Sequence, residues 1–157
     1  MINPSLSLII PVYNEERTVL ESLQKLKNLN ELFTPCLILD EYKFSKNIER
    51  LKSIVEQKNI NFRPHLKTAK CIEITKRFSE VFGKRAVVST IEEIEKLKHC
   101  GINDFLYSVA IVPNKFDRIA QCLSEDCKIS VLVDDISIAR KLVDFYKKTG
   151  LKIKALI

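Results

Sequence analysis

Short apolar runs alternate along the chain with longer segments in which apolar residues recur every three or four positions, the period of a helix. The short runs are typical of buried β-strands, and the longer segments are typical of helices that bury one face. Polar joints separate the two kinds of segment. The pattern predicts strands at residues 36–39, 61–66, 85–88, 104–109, 129–133 and 152–157, with a helix after each strand but the last.

The glycines Gly83, Gly101 and Gly150 each follow a helical segment and precede a strand. Glycine commonly ends a helix, because it adopts the left-handed backbone conformation without penalty. No glycine is left for a loop that cradles phosphate groups, so the dinucleotide fingerprint and the P-loop are absent. The alternation of strands and helices predicts an α/β fold with a parallel sheet and right-handed crossovers. A barrel segment and an open doubly wound sheet fit this pattern equally well.

Composition and charge exclude several classes of protein. The chain has 157 residues, of which 46% are hydrophobic, enough for one core. The net charge of +6 is spread as single lysines over helical faces, so no nucleic-acid partner is expected. No apolar run approaches the length of a membrane span and no signal peptide is evident, so we expect no membrane partner and a cytoplasmic protein. The five cysteines lack CxxC spacing and only two histidines accompany them, so no metal site is expected.

Basic side chains are concentrated in residues 62–70, which read FRPHLKTAK. As a strand, this segment places Arg63, His65 and Lys67 on one face of the sheet. Burying such charges is costly unless an anionic ligand or a reaction compensates. Lys67 also stands where the strand gives way to a helix, at the edge where α/β enzymes bind ligands. Lys67 is therefore the leading candidate for a reacting group.

Other polar residues also follow predicted strands at this edge. They are Asp40, Ser89, Thr90, Ser108, Asp134 and Asp135. Thr90, Asp134 and Asp135 suit helix N-caps, so a structural role is favoured for them, and Thr90 with Glu93 has the spacing of a capping box. The two serines fit a pocket lining or a strand end. His99 is expected at the surface or at a helix end.

The sequence RPHLKTAK at residues 63–70 closely resembles a signature, RPHxKTHK, of pyridoxal-phosphate enzymes with an alanine-racemase-type barrel. The nearest branch contains D-threonine aldolases and D-serine dehydratases. Segments 34–51, 87–112 and 129–142 resemble further units of that barrel, so the resemblance covers residues 34–157. It implies that Lys67 carries the cofactor as a Schiff base, and we expect Arg63, His65 and Asp40 to contact the cofactor as well. Ala69 stands where the family has a second histidine.

The resemblance decides between the two architectures. It implies a partial (β/α)8 TIM-type barrel with parallel strands, truncated before closure, because a closed barrel typically needs ~250 residues. We expect the N-terminal half of a lyase or isomerase (aldolase, dehydratase or racemase) that acts on D-amino acids. The groups that hold the cofactor phosphate, a second catalytic group and any divalent metal would lie in the missing C-terminal part. This chain alone is expected to be inactive, and its open sheet edges predict self-association or a homodimer.

Residues 1–30 have a different resemblance. The run PVYNEE at residues 11–16 is similar to the opening of inverting, family-two nucleotide-sugar glycosyltransferases. We therefore divide the chain into a strand–helix leader at residues 1–30 and the cofactor-binding barrel part at residues 31–157. Two alternatives stay open. One is a glycosyltransferase fragment, for which Asp134 and Asp135 imitate an acidic motif although no DxD follows. The other is a non-catalytic pyridoxal-phosphate-binding barrel protein, which would keep Lys67.

Overall fold

The computed structural model describes residues 6–9, 37–67 and 71–157. The strands are β1 (Leu6–Ile9), β2 (Leu37–Asp40), β3 (Arg85–Val88), β4 (Asp104–Ala110), β5 (Lys128–Leu132) and β6 (Lys154–Leu156). The α-helices are α1 (Glu41–Gln57), α2 (Ile72–Phe82), α3 (Ile91–Lys98), α4 (Phe116–Ser124) and α5 (Ile136–Thr149), with a 3-10 turn at Pro113–Lys115. The described part forms two compact units: β1, β2 and α1 belong to the first, and the second begins at Asn61. The helix predicted within residues 1–30 lies outside the described residues.

In the first unit, β1 and β2 pair in antiparallel fashion. Leu6 lies opposite Asp40 and Ile9 lies opposite Leu37, and the two strands make a sheet of their own. The strand predicted at residues 36–39 therefore forms, but it departs from the predicted parallel arrangement. The physical reason is that backbone N–H and C=O groups must be paired when they leave water, and the strand of the leader supplies the partners.

The second unit is built on a four-stranded sheet in the order β3-β4-β5-β6. All neighbouring strands in it are parallel, and the sheet is open. Arg85, Asp104 and Lys128 lie side by side at the start of their strands. The predicted α/β fold with parallel strands is confirmed, and the strand at residues 85–88 has the predicted bounds.

One face of this sheet packs against helices to form the core. Phe105 and Tyr107 of β4 are fully buried and are among the largest side chains there. They alternate along the strand with Leu106 and Ser108, which are only partly buried. This alternation is the strand period, with one face turned to the helices and the other to the concave side of a barrel wall. The core includes Ala86, Val88, Ile91, Ile94, Phe105, Tyr107, Ile119, Ile129 and Val131.

The segment before α2 is shorter as a strand than predicted. Residues 61–66 were expected to form a full strand, but only His65 makes a parallel bridge, to Val87. The bridge is made by the Val87 N–H to the Pro64 carbonyl, 2.7 Å, and by the Leu66 N–H to the Val87 carbonyl, 3.2 Å. Pro64 has no N–H for the preceding ladder position, so the pairing cannot extend backwards. Beyond the bridge, the Ser89 N–H donates to the Glu93 carboxylate at 2.7 Å and is not available for strand pairing.

The structure confirms the predicted N-cap of α3 and the predicted glycine at the C-terminal end of α5. The Thr90 hydroxyl accepts the Glu93 N–H, and the Glu93 carboxylate accepts the Thr90 N–H, each at 3.1 Å. Gly150 ends α5 with a φ of 72°, in the left-handed region that glycine tolerates best. Within the described residues, no helix combines the length and the apolar character needed to cross a membrane.

Candidate functional site

Lys67 lies immediately beyond the bridge between His65 and Val87, so it stands at the carboxyl end of the parallel strands. Its side chain is exposed, and α2 begins at Ile72. In parallel α/β proteins this edge of the sheet binds ligands. Thr68, Ala69 and Lys70 lie outside the described residues. The structure therefore places the predicted reacting lysine at the edge where the sequence placed it.

The imidazole of His65 connects the segment that carries Lys67 to two strands. Its Nε2 atom lies 3.2 Å from the Ser108 Oγ atom and 3.4 Å from the Ser89 Oγ atom. The Ser108 hydroxyl also donates to the Val88 carbonyl at 3.0 Å. On the other side of the ring, the Nδ1 atom accepts the backbone N–H of Lys67 at 3.2 Å. The structure thus brings His65, Lys67, Ser89 and Ser108 together.

An irregularity in the pairing of β4 with β5 begins at Ser108. The register of β4 against β5 is regular from Asp104 to Tyr107, but the next pair joins Ala110 to Leu132. Ser108 and Val109 are therefore extra residues in β4, as in a β-bulge. Bulges re-aim side chains and are common next to active sites. Ser108, the first of these two residues, contacts both His65 and the Val88 carbonyl.

The environment of His65 favours an uncharged ring. Burial lowers the pKa of His65 below 6.5, and the charge of Lys67 lowers it further, while the charge of Glu93 acts in the opposite direction. The fold therefore disfavours the charged form of His65, and the charge of Arg63 is paired with Asp104.

Arg63 lies at the other end of the strands. Its Nη2 atom is 2.6 Å from the Asp104 Oδ1 atom, and Asp104 is the first residue of β4. Four residues of extended chain separate Asp104 from Ser108, which is about 13 Å at the rise of a strand. The Arg63 side chain therefore holds the segment that carries Lys67 to the amino-terminal end of β4. Its predicted contact with the cofactor stays a prediction, and the ion pair does not support it.

Asp40 is the N-cap of α1 in the first unit. Its carboxylate accepts the Lys43 N–H at 2.9 Å, and this bond, together with the Lys43 ammonium, lowers the pKa of Asp40. Such a cap satisfies a backbone donor that the helix leaves unpaired. The structure assigns Asp40 this capping contact, and its role in cofactor binding stays a prediction.

The remaining candidates have structural positions. Asp135 caps α5 by accepting the Ser137 N–H at 2.6 Å, and Asp134 is exposed. His99 is exposed at the end of α3, as expected. Among the described residues, no group of three or more potential metal ligands is present. In the acidic pair at residues 134–135, Asp135 is thus a helix cap, as expected from the sequence.

Comparison with known proteins identifies the class of fold. The chain is similar to a D-threonine aldolase from Filomicrobium marinum, with a TM-score of 0.73 and 30% identity over 82% of this chain and 35% of that one. It is also similar to an alanine-racemase-like protein from Idiomarina loihiensis, with a TM-score of 0.67 and 33% identity over 74% of this chain and 31% of that one. The chain therefore has an alanine-racemase-type fold, in the form of an open barrel segment. No protein-family model matches the chain.

The sequence relatives define the branch. A D-serine dehydratase of Dictyostelium discoideum is 30% identical over 123 residues, which cover 75% of this chain and 31% of the relative. Further homologues are dehydratases and aldolases of 3-hydroxyaspartate and a D-threonine aldolase. The resemblance inferred from residues 63–70 to the aldolase and dehydratase branch is confirmed. The chain spans about a third of the length of the curated relatives it matches.

The sequence interpretation missed the contacts of three polar residues. Asp104 was taken only as the start of a strand, although it pairs with Arg63. The two serines were named without a role, although both hydroxyls contact His65. The register of the parallel strands carries the missing information, because it puts strand-end residues of neighbouring strands side by side. The sequence pattern alone does not fix that register.

Proposed function

We propose that this chain carries the cofactor-binding lysine of a pyridoxal-phosphate-dependent enzyme that acts on D-amino acids, and that this lysine is Lys67. The observation that carries the proposal is the exposed position of Lys67 at the carboxyl end of parallel strands in an alanine-racemase-type fold. The names of the homologues, which are aldolases and dehydratases of D-amino acids, support the class of substrate. No observation in the described residues favours the glycosyltransferase alternative.

The described residues fit one end of such a cofactor. Lys67 offers an exposed amine, and its backbone N–H is fixed by His65. When bound, pyridoxal phosphate supplies an electron sink for charge that develops on the amino acid. The Ser89 and Thr90 N–H groups are not available for the phosphate, because both donate to the Glu93 carboxylate. We place the phosphate contacts, and any divalent metal, in parts of the full protein that follow this segment.

The names of the relatives support a lyase or isomerase reaction on a D-amino acid as the reaction class. This chain alone should have no useful turnover, since the orientation of reacting groups by the rest of the barrel is a large part of catalysis. Strand β6 is exposed along its length, and unpaired strand edges invite pairing, so we expect self-association, including homodimers. Turnover of D-threonine or D-serine by a monomer of this chain at enzyme-like rates would contradict both expectations. The cytoplasmic location stays a prediction.

Substitution of the lysine tests the proposal. The wild-type chain, Lys67→Arg and Lys76→Arg are each incubated with pyridoxal phosphate, and the long-wavelength absorption of the lysine-bound cofactor is recorded. Arginine keeps the positive charge but provides no primary amine, and Lys76 is an exposed lysine on α2 that serves as the matched control. We expect Lys67→Arg to lose most of the absorption and Lys76→Arg to retain it. Equal absorption in both variants would contradict the proposal.

A further inference from the structure

In the candidate site, the side chain of His65 contacts several other residues. Both ring nitrogens have partners, and these partners belong to three parts of the chain: the Lys67 backbone, Ser89 after β3 and Ser108 in β4. The cofactor lysine proposed above requires no histidine for covalent attachment. The contacts of this ring therefore need a separate explanation.

The hydrogen bonds select one tautomer of the ring. The Nδ1 atom accepts the N–H of Lys67, so it carries no proton. The Ser108 hydroxyl has one proton and donates it to the Val88 carbonyl, so its oxygen is an acceptor toward His65. The Nε2 atom must then be the donor to Ser108. A neutral ring with its proton on Nε2 satisfies every contact, whereas the charged ring would leave the Lys67 N–H without its acceptor.

This tautomer excludes a second role that the geometry would otherwise suggest. A histidine within 3.4 Å of two serine hydroxyls resembles the base and nucleophile of a hydrolase. A base that activates serine must accept a proton at the nitrogen facing the hydroxyl. The Nε2 atom of His65 already holds a proton and donates it, so the ring cannot do this. The cluster is suited to holding its members in place.

We propose that His65 is a positioning residue, which in its neutral Nε2–H form fixes the backbone of Lys67 against the ends of β3 and β4. This inference rests on the proposed function of Lys67, because it assigns His65 the task of presenting that lysine to the cofactor. The strand ladder stops at the His65–Val87 bridge, so beyond it the ring makes the backbone contact that sheet pairing would otherwise supply. Burial and the charge of Lys67 favour the neutral ring, whereas the charge of Glu93 favours the protonated one.

The tautomer is measured directly by nitrogen NMR of the imidazoles, without cofactor. The chain has two histidines, and the exposed His99 serves as the internal reference. The variant His99→Asn assigns the two sets of signals. We expect His65 to show a single Nε2–H tautomer at neutral pH and His99 to show the averaged signals of a solvated ring. Averaged signals for His65, or a proton on Nδ1, would overturn the proposal.

The positioning role is measured by amide exchange in His65→Asn and His65→Leu. The asparagine side chain keeps an oxygen that can accept the Lys67 N–H, whereas leucine keeps only apolar volume. The worth of one hydrogen bond predicts exchange at the Lys67 amide about five- to tenfold faster in His65→Leu, with most of the protection kept in His65→Asn. Equal exchange rates in all three proteins would overturn the proposal. If His65→Leu does not fold, wild type and His65→Asn still decide, through the tautomer and through the preserved protection.

Labelling of the lysine separates this inference from the proposed function. Reductive labelling with pyridoxal phosphate and borohydride gives a ratio of Lys67 to Lys76 modification within one sample. We expect the ratio to fall severalfold in His65→Leu and to recover in His65→Asn. A ratio in His65→Leu equal to that of the wild type would overturn the positioning role. A ratio near one in the wild type would refute the proposed function, whereas the NMR and exchange results would still decide whether His65 holds the Lys67 backbone.

Discussion

The ion pair between Arg63 and Asp104 should contribute more to stability than a surface pair with better hydrogen bonding. It joins the segment that carries His65 and Lys67 to β4 through one contact of 2.6 Å, and the two side chains are only 26% and 28% exposed. The Nε atom of Arg63 is buried and has no hydrogen-bond partner among the described residues. The perturbation is Asp104→Asn, which removes the charge and keeps an acceptor oxygen. Arg63 would then donate its hydrogen bond to an uncharged acceptor.

The expected loss follows from this partial burial. Hydrogen bonds to charged groups contribute about 1.5–3 kcal/mol, and the amide retains part of that, so we expect a loss of about 1–2 kcal/mol. The matched control is Glu95→Gln. Arg118 donates two hydrogen bonds to Glu95, at 3.0 and 2.6 Å, but these side chains are 53% and 33% exposed. Exposed pairs contribute about 0–1 kcal/mol, so the control should lose about 0.5 kcal/mol or less.

Urea denaturation measures both free energies of unfolding. We expect the midpoint to fall clearly for Asp104→Asn and little for Glu95→Gln, with unchanged slopes. High salt should remove the small effect at Glu95 and leave most of the effect at Asp104, because partly buried pairs are screened less. A loss for Glu95→Gln equal to or greater than that for Asp104→Asn would refute the reasoning that exposure, rather than the number of hydrogen bonds, decides the contribution.

Two further predictions concern the core and the pH dependence. Tyr107→Phe should lower the free energy of unfolding by about 1–2 kcal/mol in the same assay, because the fully buried phenol accepts a 2.6 Å hydrogen bond from the Lys115 ammonium. The control Tyr146→Phe, at an exposed position, should change the free energy of unfolding by less than about 0.5 kcal/mol. Equal effects of the two substitutions would contradict this prediction. The lowered pKa of His65 means that the unfolded chain binds a proton at a higher pH than the folded chain, so stability should fall as the pH drops from about 6.5 toward the lower folded-state pKa. Urea titrations across this range should show a smaller decline in His65→Asn, and an identical pH profile in the two proteins would contradict this.

The sequence predicted most of the second unit because its local and global signals agree. Apolar spacing, the capping box at Thr90 and the glycine at position 150 all indicate the same strand and helix ends. The resemblance at residues 63–70 then identified an alanine-racemase-type fold, which the solved structures confirm. Where several independent signals coincide, the local reading of a sequence is reliable.

The departures have identifiable physical causes. Strand β2 pairs with β1 in antiparallel fashion because backbone groups take the partners that the chain provides, and apolar runs do not encode the direction of pairing. The strand at residues 61–66 shrinks to one bridge because Pro64 lacks an N–H group. The ion pair of Arg63 with Asp104 was not predicted, because side-chain periodicity gives the face of a strand and not the position along it. The strand register decides that position, and it puts Asp104 beside Arg63.

Peptide mapping after borohydride reduction determines whether Lys67 holds the cofactor. The wild-type chain is incubated with substoichiometric pyridoxal phosphate, reduced, digested and analysed by mass spectrometry for the modified lysine. Lys70, three residues away in the sequence, and the exposed Lys76 are the internal controls. We expect the modification to be concentrated on Lys67. Modification spread evenly over Lys67, Lys70, Lys76 and the other lysines of the chain would contradict this expectation.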